Sequence, residues 1–90
     1  MATGDHYDGR NLHWQIRDGS DGGVFIRYDS MEIDSANKGR SWTGTVVSAE
    51  KRNGIFRFIT QSGSTYYFDE ERIAYPMQLL ALQLRFRIKD

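Results

Sequence analysis

The chain has no cysteine, one proline, two histidines and no net charge. Without cysteine there are no disulfides, thiolate zinc sites or thiol nucleophiles, and the composition fits a reducing compartment. No apolar run approaches the roughly 20 residues that a membrane-spanning helix needs. The start, Met1-Ala2-Thr3-Gly4-Asp5-His6, lacks the basic segment and apolar stretch of a secretory signal. The expectation is a soluble, cytoplasmic protein with no membrane partner. Twelve basic residues balance twelve acidic ones, so the chain lacks the basic excess with which a general nucleic-acid binder displaces counterions. Ninety residues make one small domain, able to bury roughly 60–65% of its unfolded surface.

Catalytic and cofactor constellations are also missing. His6, with Asp5 and Asp8 nearby, and His13 do not supply the three or four convergent ligands of a metal site, and no metal is expected. Asp18-Gly19-Ser20-Asp21-Gly22 departs from a calcium loop, because glycine falls where the fifth position needs an oxygen ligand; it reads as a hairpin turn. Asp69, Glu70 and Glu71 are adjacent acids suited to the N-terminal dipole of a short turn, not a carboxylate pair held across a cleft. The glycines match no phosphate-binding fingerprint. The chain is expected to be non-catalytic and to use no cofactor.

Alternation is what the sequence does have. Leu80, Leu82, Leu84, Phe86 and Ile88 alternate with Ala81, Gln83, Arg85, Arg87 and Lys89. This period of two predicts a β-strand with one apolar and one basic face. A helical stripe of Met77, Leu80, Ala81, Leu84 and Ile88 can also be drawn, but it leaves Leu79, Leu82 and Phe86 on the polar side. The strand reading is preferred.

Upstream, residues 1–10 read as a flexible polar tail and 11–90 as the β-rich domain. Residues 11–17 and 24–28 predict a hairpin across the glycine-rich turn between them, with Met31 and Ile33 prolonging its second strand. Residues 34–41 form the longest polar connection. Trp42–Ala49 and Ile55–Thr60 are strands flanking Asn53-Gly54, a type I′ turn signal, which sets Glu50 opposite Arg57 and Ala49 opposite Phe58. A two-residue turn at Ser62-Gly63 then sets Ile59 opposite Tyr66 and Phe58 opposite Tyr67. Residues 69–75 predict a single helical turn, ended by Pro76.

The result is an all-β, mainly antiparallel domain of about six short strands, with one helical turn before the last. Over residues 42–89, this order and these lengths resemble small SH3-like or OB-like barrels; an open sandwich is the alternative. The expected function is protein binding, through Arg57, Tyr67, Arg85, Arg87 and Lys89, to a second copy or to a host or cellular target. In size and composition the chain looks like small phage or mobile-element inhibitors that block host enzymes. The alternative is a nucleic-acid-binding barrel using Lys51, Arg52, Phe58, Tyr67, Arg85 and Arg87, with rings to stack bases and cations to follow the backbone.

Overall fold

The computed structural model describes residues 6–29 and 40–88. These residues contain seven strands: β1 (His6–Asp8), β2 (Trp14–Asp18), β3 (Val24–Asp29), β4 (Arg40–Trp42), β5 (Val46–Arg52), β6 (Ile55–Thr60) and β7 (Thr65–Asp69). A 3₁₀ turn at Glu70–Arg72 and one helix, α1 (Gln78–Phe86), follow. One sheet has the order β1-β7-β6-β5 and the other β2-β3-β4. Every pairing between these strands is antiparallel except β1 with β7. The all-β expectation holds, but the described strands form two separate ladders and no closed barrel. Among the described residues no helix is long and apolar enough to cross a membrane.

Turn chemistry explains where the pairings agree with the sequence. Asn53 and Gly54 take φ of 54° and 76°, as a type I′ turn requires, and Glu50 pairs with Arg57 and Ala49 with Phe58. The β2–β3 hairpin closes through Gly22 at φ 84°, while the Asp21 carboxylate accepts the Gly23 N–H at 2.9 Å. Trp42–Ala49 is not one strand: the chain leaves one sheet at Trp42 and enters the other at Val46. Buried Thr43 pins this crossing, accepting the Ile26 N–H at 3.0 Å and donating to the Gly44 carbonyl at 2.7 Å. Met31, Ile33 and most of the 34–41 connection lie outside the described residues.

The next turn corrects the expected register. Gly63 takes φ 90°, and Thr60 N–H donates to the Ser64 carbonyl at 2.9 Å, so three residues turn the chain instead of two. Phe58 therefore pairs with Tyr66, and Arg57 with Tyr67. A slip of one residue moves a side chain to the other face of its sheet. Tyr66 thus joins Phe58 on the inner face, and Tyr67 joins Arg57 on the outer.

One core lies between the inner faces: Trp14, Val24 and Ile26 from one sheet, and Val46, Phe56, Phe58, Tyr66 and Phe68 from the other. Trp14 sits at its centre, its ring 5.5, 5.6 and 5.6 Å from those of Phe56, Phe58 and Phe68. Residues 6–10, which the sequence reads as part of a polar tail, pair with and pack on β7. Tyr7 stacks on Tyr66 at 4.6 Å, and buried Gly9 donates its N–H to the Tyr67 carbonyl at 2.8 Å.

The largest correction is at the C-terminus, where the predicted closing strand is helix α1. Gln, Leu, Ala and Arg are strong helix formers, and the segment contains no β-branched residue before Ile88. Pro76, read as a terminator, instead precedes the first helical turn, where its missing N–H costs nothing. Leu82 is buried, and Leu79 and Phe86 pack against the core, an i, i+3, i+7 stripe. Arg87 ends the helix in the left-handed region at φ 53°, and the Ile88 N–H donates to the Gln83 carbonyl at 3.0 Å.

This helix also shields a sheet edge. The Gln78 amide accepts the Ile16 N–H at 2.9 Å and donates to the Ile16 carbonyl at 3.0 Å. Upstream on the same edge, Ala74 N–H donates to the Trp14 carbonyl at 2.7 Å. Gln78 therefore substitutes for a neighbouring strand on an edge that would otherwise be open to pairing with other chains. Gln78→Ala is expected to cost about 1–3 kcal/mol, read as a lower denaturation midpoint, and to speed amide exchange at Ile16.

Candidate binding surfaces

Strand alternation sends Arg52, Ile55, Arg57 and Tyr67 to the outer face of the four-stranded sheet. With Asp8, Arg10, Glu50 and Asn53 they line a groove of about 710 Å³. Two predicted partner-binding residues, Arg57 and Tyr67, meet here as a cross-strand pair, and Arg52 lies beside them. Most of the groove's charge is internally compensated. Arg57 is ion-paired with Glu50, and Arg10 grips Asp8 through Nε and Nη2, each at 2.9 Å. Arg52 has no ion-pair partner among the described residues.

Hydrogen bonds from the Arg10 side chain, and then from its backbone N–H, hold the Asp8 carboxyl down from 3.8 to about 2. Because the folded carboxyl ionises at lower pH than the unfolded one, its stabilisation is complete above about pH 4 and lost as pH falls toward 2. The pair is more than half exposed, so its effect on stability is small. The NMR titration of Asp8 is expected near 2 in the native protein and to move up toward 3.8 in Arg10→Ala, which removes the side-chain bonds and keeps the backbone one.

Two residues predicted for nucleic-acid contact serve the interior instead. Phe58 is fully buried because it alternates inward with Phe56, so it cannot stack a base. Lys51 shares the inner face with its cross-strand partner Phe56. Its side chain is 6% exposed, with Nζ 2.8 Å from Glu70 and 5.6 Å from the Phe56 ring centre. Lys51 is a buried ion-pair member on the inner face.

The predicted basic strand face of Arg85, Arg87 and Lys89 does not form. On a helix, residues two apart point in nearly opposite directions. Arg85 donates from Nη2 to the Gly22 carbonyl at 2.8 Å, Arg87 occupies the helix end, and Lys89 lies outside the described residues. What α1 presents is apolar: Met77, Leu80 and Leu84 are 76%, 66% and 71% exposed, with Tyr75 half-exposed just before them. The sequence reading places Leu80 and Leu84 on the apolar face of the expected strand. The signal for two-sidedness was the excess of leucines over what one helical stripe can hold.

A third surface lies on the other sheet. On the outer face of the three-stranded sheet, Arg17 pairs with Phe25, and Arg27 pairs with Gln15 on one side and Trp42 on the other. Trp42 is 58% exposed, and Phe25 is half-buried but outside the core cluster. His13 and Asp29 approach at 3.8 Å at one end of this face. In the sequence, residues 24–28 read as one strand of a hairpin, with no face assigned to Phe25 or Arg27.

Among the described residues no three metal-ligating side chains converge. Comparison of the chain with protein-family models, curated proteins and solved structures finds no match.

Proposed function

We propose that the protein acts by binding another protein, with the solvent-facing side of α1 as the docking element. The observation that carries this reading is the exposed row of Met77, Leu80 and Leu84 on a helix whose opposite face already packs on the core. Their i, i+3, i+7 spacing is that of helices that lay an apolar face into a partner's groove. The row covers on the order of a few hundred Å², a size that marks interaction sites on monomers. That is well short of the roughly 800 Å² per partner in a stable dimer, so two rows packed together make a poor dimer. A groove that wraps the helix buries more, which favours a different protein as partner. Occupying such a groove blocks its other users, as a small inhibitor of a larger host or cellular protein does.

The absence of cysteine permits a direct test. Leu80→Cys carrying a photo-crosslinker is expected to give one discrete adduct with another polypeptide in extracts of the source cells. Unlabelled wild-type protein should suppress it, and Leu84→Asp protein should not. The same label at exposed Gln61 is the control. If position 80 gives no adduct, or the same adducts as position 61, the reading fails. An adduct only with a second copy would replace it by self-association.

A further inference from the structure

The outer face of the three-stranded sheet carries an inference separate from the α1 reading. We infer that this face binds single-stranded nucleic acid, with Trp42 and Phe25 stacking bases and Arg17 and Arg27 contacting phosphates. The register sets two arginine–aromatic pairs side by side: Arg17 opposite Phe25, and Arg27 opposite Trp42. Phe25 and Arg27 are two residues apart on one strand and so share a face. The two rings are thus diagonal neighbours, at the roughly 7–8 Å spacing of such positions, with Arg27 adjoining both. Alternating rings and cations are the elements of sequence-tolerant single-strand binding, because every base offers a π face and every nucleotide a phosphate.

Charge selects this face over the groove on the other sheet. There Arg10 and Arg57 are neutralised by Asp8 and Glu50. Here neither Arg17 nor Arg27 makes an ion pair among the described residues. Arg17 makes only a long 3.5 Å contact to the Gln15 side chain, and the Arg27 Nε is buried with no hydrogen-bond partner. An arginine with no carboxylate partner keeps its charge available to a phosphate. The carboxylate facing this surface, Asp29, lies at one end beside His13, and Asp18 lies beyond Arg17 at the end of β2.

Trp42 reports its own contact, since the other tryptophan, Trp14, is 1% exposed. Oligothymidylate and oligouridylate are the probes, followed by tryptophan quenching and by anisotropy of a labelled strand at low salt. Both are expected to bind and quench, with log affinity falling against log salt at a slope of about −1.4 for two phosphate contacts. Trp42→Ala should weaken binding about tenfold or more while Trp42→Phe retains most of it. Arg17→Gln should reduce the slope by about 0.7, with circular dichroism unchanged in each variant. The inference is overturned if neither strand binds at low salt, if folded Trp42→Ala binds as wild type, or if Arg52→Gln weakens binding as much as Arg17→Gln. A preference for oligouridylate that survives in every variant but Trp42→Ala supports the same site and adds a 2′-hydroxyl contact.

Discussion

Trp14→Ala is expected to abolish the cooperative fold at physiological temperature. Trp14 is 1% exposed, and its ring meets three core phenylalanines, so truncation leaves a cavity the size of an indole between the two sheets. Such truncations cost about 3–5 kcal/mol. The indole N–H also donates to the Asp69 carbonyl at 2.6 Å, and losing that donor adds about 1–3 kcal/mol. A domain of this size has on the order of 5–10 kcal/mol in total, so the two losses consume most of it. Trp14→Phe separates them: it refills most of the volume and is expected to lose only about 1–3 kcal/mol. Thermal melting followed by circular dichroism decides the matter. A Trp14→Ala protein melting within a few degrees of wild type would show that Trp14 is not the centre of the core.

Gly9→Ala is the second large effect, although it adds a single methyl group. A Cβ at position 9 would lie 2.5 and 2.7 Å from two atoms of the Phe68 ring and 2.9 Å from the Tyr67 carbonyl oxygen. Phe68 is 1% exposed and stacked against Trp14, so the ring cannot yield. The alternative is for β1 to lift from β7, breaking their pairing and the 2.8 Å bond from Gly9 N–H to Tyr67. Overpacking of this kind costs about 1–3 kcal/mol, expected as a clear fall in the urea midpoint. The same substitution tests the N-terminal strand. If residues 6–10 were a solvated tail, alanine there would change nothing measurable.

Legibility in the sequence followed the range of the interactions. Turns set by one or two residues could be read: Asn53-Gly54 fixed the β5–β6 register because only certain residues tolerate positive φ, and the pairing of Glu50 with Arg57 followed. The Ser62–Gly63 turn is recognisable but its length is not, because glycine at the third position of a three-residue turn looks the same as glycine in a two-residue one. That single residue decided whether Tyr67 stood beside buried Phe58 or exposed Arg57. At the C-terminus, the apolar residues at 79, 80, 82, 84, 86 and 88 fit periods of 2 and 3.6 alike, so periodicity cannot choose, and helix propensity with Pro76 just before the helix decides. The parallel pairing of β1 with β7 left no local trace at all. The candidate surfaces are legible as residue types but not as groupings: Arg57 and Tyr67 are expected partner-binding residues, whereas the pairing of Arg27 with Trp42 depends on β4 lying beside β3.

Gln78 has a consequence for α1 beyond edge protection. The helix carries leucines around most of its circumference, so burying Leu80 and Leu84 in place of Leu79 and Leu82 would satisfy the hydrophobic effect nearly as well. The amide's paired bonds to Ile16 admit only one rotation of the helix about its axis. Gln78 is thus the key that sets the helix's phase: it determines which leucines become core and which are displayed. A substitution there changes the chemical identity of the protein's surface as well as its stability.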